Sequence, residues 1–193
     1  MPKSKFSTVF GKTINLLNET KTPYLLIGGL AASLLGEARI TNDVDFIIVV
    51  NDDKLRTFLK KAKEKGFKFP EKKLWETFSL KGTFRLFCKG LHVDFIRASI
   101  ELEKQAFKRK RKAKLLGKVI FIPSPEDMIL FKTIPGREID LIDIKRILVR
   151  HWEKLDQKYL EQWAMKISDE AEDTRIYYRL KKIMKEVEKE EKQ

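Results

Sequence analysis

The sequence predicts an α+β protein: a small mixed β-sheet flanked by helices, with a helical C-terminal region. Three observations carry that reading. Short runs of strand formers, among them "YLLIGG", "DVDFIIVV" and "TFRLFCKGLHVDFIRA", are confined to the first two thirds of the 193 residues. Apolar residues recur at helical spacing at the start and again from Ser124 onward. No repeat and no long flexible linker interrupts the chain, which divides into a sheet-bearing core, 1–122, and a helical region packed on it, 123–193.

The elements follow in order. Lys5–Glu19 places Phe6, Val9, Phe10, Ile14, Leu16 and Leu17 on a helical stripe, and Pro23 stops it. "YLLIGG" reads as a short buried strand ending in glycines, with a helix over Leu30–Leu35. "DVDFIIVV" is the second strand, and "NDD" caps a helix over about Lys54–Lys65 that ends at Gly66. "TFRLFCKGLHVDFIRA" reads as a hairpin turning at Lys89-Gly90. A basic segment and a short strand, "KVIFIP", lead to Ser124-Pro-Glu-Asp. That is a strong helix start, with a capping serine, proline in the first turn and acids near the positive helix end. Pro135-Gly136 breaks this helix; "EIDLIDIKRILVRHW" makes the next, Lys158–Ile167 another, and Asp169–Lys192 a highly charged last one.

Composition narrows the function classes. An apolar fraction of 42% supports a real core, and one cysteine, Cys88, excludes an internal disulfide and predicts a reducing, cytoplasmic setting. The opening "MPKSKFSTVFGK" lacks the apolar centre of a signal peptide. The longest apolar run, Phe46–Val50, is far too short to span a membrane. A formal net charge of +13 favours polyanionic partners: nucleic acid, nucleotides or an acidic protein. His92 and His151 have no zinc spacing with Cys88, and Trp75, Trp152 and Trp163 read as packing residues.

The stretch that carries chemistry is "GGLAASLLGEARITNDVDFIIVV". Side chains at i and i+2 of a strand share a side, so Asp43 and Asp45 project together while Val44 and Phe46 face the core. Paired carboxylates repel unless a cation lies between them, and hard oxygen ligands suit magnesium. Asp-x-Asp alone is weak evidence for a metal, because two acids often merely fray a strand end into solvent. Gly28-Gly29 at a strand-to-helix turn lets backbone approach a ligand and offers helix N–H groups to phosphate. In "LHVDFIR", alternation sets Asp94 with His92 and Ile96 on the face opposite Leu91, Val93 and Phe95. If that strand neighbours the Asp43–Asp45 strand, three carboxylates converge.

Gly-Gly, a helical turn or two, Arg-x-Thr-x-Asp-x-Asp and a third aspartate on a later strand resemble the nucleotidyltransferase superfamily that includes DNA polymerase β. "SPEDMILFKTIPGREIDLIDIKRIL" is similar to a segment of the abortive-infection (AbiEii) nucleotidyltransferase toxins. The matching blocks span about Tyr24–Leu148. One departure stands out: the superfamily more often has Gly-Ser at its first motif, whereas Leu30 follows Gly29 here, so a phosphate-binding hydroxyl is missing.

The resemblance implies a polymerase β-like core and transfer of a nucleoside monophosphate from a nucleoside triphosphate to a hydroxyl. Two magnesium ions would be held by Asp43, Asp45 and Asp94, the last also a proton acceptor. Gly28, Gly29, Arg39, Thr41, Lys132 and Arg137 are the implied nucleotide-binding residues. Asp140 and Asp143, one helical turn apart, either orient Lys132 or Arg39 or form a solvated acidic edge. The basic run Lys108, Arg109, Lys110, Arg111, Lys112 and Lys114 either recruits an RNA acceptor or is a solvated helix face. An acidic antitoxin is the protein partner that the toxin resemblance implies. A catalytically silent RNA- or nucleotide-binding module and an Asp-x-Asp glycosyltransferase are the competing readings.

Overall fold

The structure is a computed structural model describing residues 4–192; residues 1–3 and 193, the extremes of the predicted ranges and part of the "MPKSKFSTVFGK" stretch, lie outside the described residues. The chain forms two compact units. One runs to Leu30 and resumes over Thr41–Ile122; the other takes Ala31–Ile40 and the chain from Pro123.

In the first unit, α1 (Lys5–Glu19) begins where the Ser4 hydroxyl accepts a hydrogen bond from the Ser7 amide at 3.1 Å, and it buries Val9, Phe10, Ile14, Leu16 and Leu17. A four-stranded sheet has the order β1 (Tyr24–Ile27), β2 (Asp45–Ile48), β4 (Leu91–Arg97), β3 (Thr83–Cys88). β1 and β2 are antiparallel, β2 and β4 parallel, and β3 and β4 an antiparallel hairpin. Lys89 and Gly90 both adopt positive φ, as a two-residue hairpin turn compatible with right-handed strand twist requires. The mixed sheet is thus the predicted one.

One sheet face is the core. Phe84 stacks on Phe95 with ring centroids 4.8 Å apart, and Phe58 of α3 (Asp52–Glu64) meets Phe95 edge-on at 5.4 Å. Each of these rings buries a large apolar area, and the pair geometry adds a further ~0.5–1.5 kcal/mol. Two helices absent from the sequence reading complete the unit: α4 (Glu71–Lys81), closed by Gly82 in the left-handed conformation, and α5 (Glu101–Arg109). β5 (Arg111–Leu115) and β6 (Lys118–Ile122) then pair as a separate antiparallel ribbon. The basic run is therefore not one helix face. Lys108 and Arg109 end α5, Lys110 turns the chain, and Arg111, Lys112 and Lys114 belong to a strand. The ladder offered by β6 overrides the poor strand propensity of lysine.

The second unit is helical: α6 (Pro125–Thr133), α7 (Glu138–His151), α8 (Gln157–Glu170) and α9 (Arg175–Glu191). Ser124 caps α6, its hydroxyl accepting from the Asp127 amide at 3.2 Å. Residues 31–40, placed by sequence with the core, join this unit through α7. Arg39 binds Asp143, Arg150 donates to the Gly36 carbonyl, and His151 Nε2 lies 2.8 Å from the Leu35 carbonyl oxygen. α2 (Gly28–Leu35) accordingly gives its first residues to one unit and the rest to the other. Trp75, Trp152 and Trp163 are half-buried rather than central to the core; Trp75 carries the Arg56 guanidinium 4.7 Å from its ring centroid. Among the described residues, no helix is long and apolar enough to cross a membrane.

Candidate active site

Asp45 is the first residue of β2, opposite Ile27 on one side and Asp94 on the other. Residues in direct register project to the same face, so Asp45 and Asp94 stand side by side on the face away from the aromatic core. Val44 and Phe46 are buried, and the Asp94 amide donates to the Val44 carbonyl at 2.9 Å, locking the two strands in this register. Gly28, the residue after β1, has φ +68°, and a Cβ there would fall inside the Asp45 carboxylate. Only glycine satisfies both the backbone and the contact. Gly29 follows as the second residue of α2.

Asp43 lies just before β2 with its side chain 66% exposed. Its amide donates to the Thr41 hydroxyl at 3.4 Å, so Thr41 shapes the approach to the pair. His92, two residues before Asp94 on the same face, bridges the cluster: Nε2 is 3.6 Å from Asp43 Oδ1 and 3.9 Å from Asp94 Oδ2. Asp45 and Asp94 thus share one sheet face, and His92 links Asp94 to Asp43, which lies before the strand rather than in it.

The structure adds a cation that sequence reading missed. Arg85 of β3, in register with Asp94, holds both its oxygens, Nε to Oδ1 at 2.6 Å and Nη2 to Oδ2 at 2.7 Å. The hydrogen bond to Asp94 raises the Arg85 pKa above its ordinary value, and the charges of Asp94, Asp43 and Asp45 add to it. Among the described residues, no three His, Cys, Asp or Glu side chains are arranged to hold a metal ion. The expected three-carboxylate metal centre is not assembled in this arrangement, in which both oxygens of Asp94 are taken by Arg85.

The remaining predicted residues meet in the second unit. Lys132 Nζ lies 2.7 Å from Asp140 Oδ1 and 2.9 Å from Asp143 Oδ2, and its side chain is 6% exposed. Arg39 forks onto Asp143 at 2.9 and 3.0 Å, and Arg137 Nε reaches Asp140 Oδ2 at 2.7 Å with its side chain 70% exposed. Burial alone would raise the Asp140 pKa; hydrogen bonds from Arg137 and Lys132 outweigh it and hold the carboxyl below its ordinary value. The hydrogen bond to Asp143 likewise raises the Arg39 pKa. Asp140 and Asp143 are therefore the buried centre of a five-membered ion network, and Arg137 is its exposed end.

Of the basic run, Lys108, Lys110, Arg111, Lys112 and Lys114 are exposed and Arg109 is half-buried. His92 was legible from the alternation that found Asp94. Arg85 was not, since its role depends on hairpin register.

A family model described as "Nucleotidyltransferase of unknown function (DUF6036)" matches residues 4–192. No curated protein matches the sequence. Among solved structures, the chain is similar to a lincosamide antibiotic adenylyltransferase, LnuA, in its lincomycin-bound form. That match has 17% identity and TM-score 0.53, covering 75% of this chain and 96% of that one. It is also similar to an antigenic nucleotidyltransferase-like protein from Paracoccidioides brasiliensis (19% identity, TM-score 0.52, 92% of each chain). A third is the antibiotic-resistance factor ANT(2'')-Ia, at 16% identity and TM-score 0.54, covering 86% of this chain and 92% of that one. At these identities the likeness is one of fold.

Proposed function

The chain belongs to a family of nucleotidyltransferases, and from that premise we propose that it moves a nucleoside monophosphate from a nucleoside triphosphate to a hydroxyl acceptor. Asp43, Asp45 and Asp94 are its catalytic carboxylates in this reading. The observation that supports it is the Asp45–Asp94 register with Gly28 packed against Asp45. The family favours this chemistry over the Asp-x-Asp glycosyltransferase and silent-module readings.

The donor set fits magnesium. Its oxygens are hard, they come from neighbouring carboxylates, and Arg85 shows that the place collects positive charge. Asp43 and Asp45 would hold the ions, joined by Asp94 once Arg85 lets go. When bound, the metal supplies charge neutralisation at the triphosphate and a lowered pKa at the attacking hydroxyl. The chain's own part is positioning. The acceptor oxygen forms a bond to the α-phosphorus, the bond to the β-phosphate oxygen breaks, and pyrophosphate leaves with the electron pair. Asp94 receives the hydroxyl proton. Thr41 fixes the Asp43 loop, Gly28 lets the backbone pack against Asp45, and Gly28 with Gly29 offers the start of α2 to the nucleotide.

Lys132 acts through the network, holding Asp140 and Asp143 and through them Arg137 and Arg39, of which Arg137 is the cation open to a phosphate. Kinship with abortive-infection toxins, an RNA acceptor and an acidic antitoxin partner rest on the segment from Ser124 to Leu148, the basic run and the net charge of +13. The test is transfer of α-phosphate label from each common nucleoside triphosphate, with magnesium, by wild type and Asp45→Asn. Label transfer by wild type alone supports the reading; no turnover by wild type, or equal turnover by the variant, refutes it.

A further inference from the structure

The sheet face that carries Asp45 and Asp94 continues beyond them into an open trough of about 530 Å³. That is within the ~300–1,000 Å³ of small-molecule sites. The outward residues of β3 and β4 make the floor, α4 makes the wall, and the two carboxylates stand at one end. The lining is divided by chemistry. Leu74 on the wall and Phe87 and Ile96 on the floor are apolar, with Phe87 43% exposed. Thr77 and Thr83 bring hydroxyls, and Arg85 stands between this region and Asp94.

We propose that the trough is the acceptor subsite, and that the acceptor is a small hydroxylated molecule with an apolar or aromatic body. The proposal rests on the nucleotidyl-transfer reading and adds the substrate class. Apolar walls receive the body, because removing apolar surface from water is the non-directional part of binding. The hydroxyls of Thr77 and Thr83 fix polar substituents, which supply orientation. A hydroxyl at the far end then lies beside Asp94, the group that takes its proton as the new O–P bond forms.

The lining argues against a nucleic-acid strand in the same place. Single strands are held by basic grooves with successive stacking platforms. Here the lining cations are Lys73 and Arg85, with Arg85 already paired to Asp94, which leaves little positive charge along the trough for a run of phosphates.

The experiment offers α-phosphate-labelled nucleoside triphosphates and magnesium to the full chain with three separate pools: the small-molecule fraction of a cell extract, total RNA, and total protein. Thr77→Trp fills the trough from its wall. Phe87→Ala, at a surface position, removes the floor ring without obstructing anything, and covers the case in which the tryptophan variant fails to fold. The expected result is label in the small-molecule pool, reduced at least tenfold by either variant, while triphosphate binding by calorimetry stays within twofold of wild type. Label on RNA or polypeptide that neither variant diminishes overturns the proposal. So does triphosphate binding with no labelling of the small-molecule pool. Absence of both triphosphate binding and turnover instead removes the nucleotidyl-transfer reading on which it rests.

Discussion

Arg85 and Asp94 face each other across the β3–β4 hairpin, and the guanidinium takes both carboxylate oxygens at 2.6 and 2.7 Å. A cation arriving at Asp94 must displace it. Half-exposed pairs are worth about 1 kcal/mol or less, and 1.4 kcal/mol is tenfold in affinity. Arg85→Gln is expected to tighten manganese binding by roughly three- to fivefold in calorimetric titration. An unchanged or weaker affinity would show that Arg85 helps the cation rather than competing with it.

Asp45→Asn separates chemistry from stability. Label transfer is expected to fall by about 10²–10³-fold or more, the scale of losing a fixed electrostatic group. The thermal midpoint should hold or rise, since one of the clustered negative charges is gone. A variant that is inactive because it melts early contradicts the assignment.

Lys132 and Arg137 should part company when each is mutated. Lys132→Met removes the cation shared by two buried carboxylates but leaves Asp143 to Arg39 and Asp140 to Arg137. The loss should therefore stay below the ~3–5 kcal/mol of a fully stranded buried charge, or under roughly 10 °C in melting temperature for a chain of this size. Arg137→Gln lies at the exposed end of the network, so stability should move little while triphosphate binding weakens more than monophosphate binding. Equal weakening of both nucleotides would confine Arg137 to a structural part.

The same network sets an acid limit. The Asp140 carboxyl lies below its ordinary value, so the unfolded chain binds that proton more readily than the folded one. The stability it contributes is complete above the ordinary carboxylate value of ~3.9 and is lost as pH falls through the lower folded value. Melting temperature should decline below about pH 4, and the decline should be shallower in Asp140→Asn. Identical slopes would assign the acid sensitivity to another group.

The basic ribbon is expected to bind RNA electrostatically without being the acceptor site. Each phosphate contact contributes a log–log salt slope of about −0.7 for single strands. Arg111→Gln with Lys112→Gln should flatten the slope of RNA binding by roughly one unit and leave labelling of small acceptors unchanged. A parallel loss of that labelling would place the ribbon at the acceptor.

Much of the fold was legible because local signals agreed with it. The apolar stripe of Lys5–Glu19, the Ser124-Pro-Glu-Asp cap and the Lys89-Gly90 turn all stand where sequence put them. α4 and α5 were missed because "EKKLWETFSLK" and "ELEKQAFKR" are short and charged, with few apolar positions to mark a face. Asp43, read as part of the same strand as Asp45, precedes β2, but the places of Asp45 and Asp94 on one face were legible from alternation along single strands. Arg85 and the trough were not, because both arise from which strand lies beside which, and register between distant segments leaves no local trace. Lys132 looked like a phosphate ligand for a similar reason: the partners that bury its charge lie on the next helix, one of them also held by Arg39.

The parallel pairing of β2 with β4 bears on synthesis. Asp43 and Asp45 leave the ribosome early, but the strand that brings Asp94 and His92 beside them follows only after α3, α4 and β3. Closing so long an intervening segment is an entropic cost met before any contact rewards it, which makes such pairings slow. A nascent chain therefore carries its first two carboxylates unpaired with β4 until the hairpin is complete and the last sheet strand docks between its neighbours.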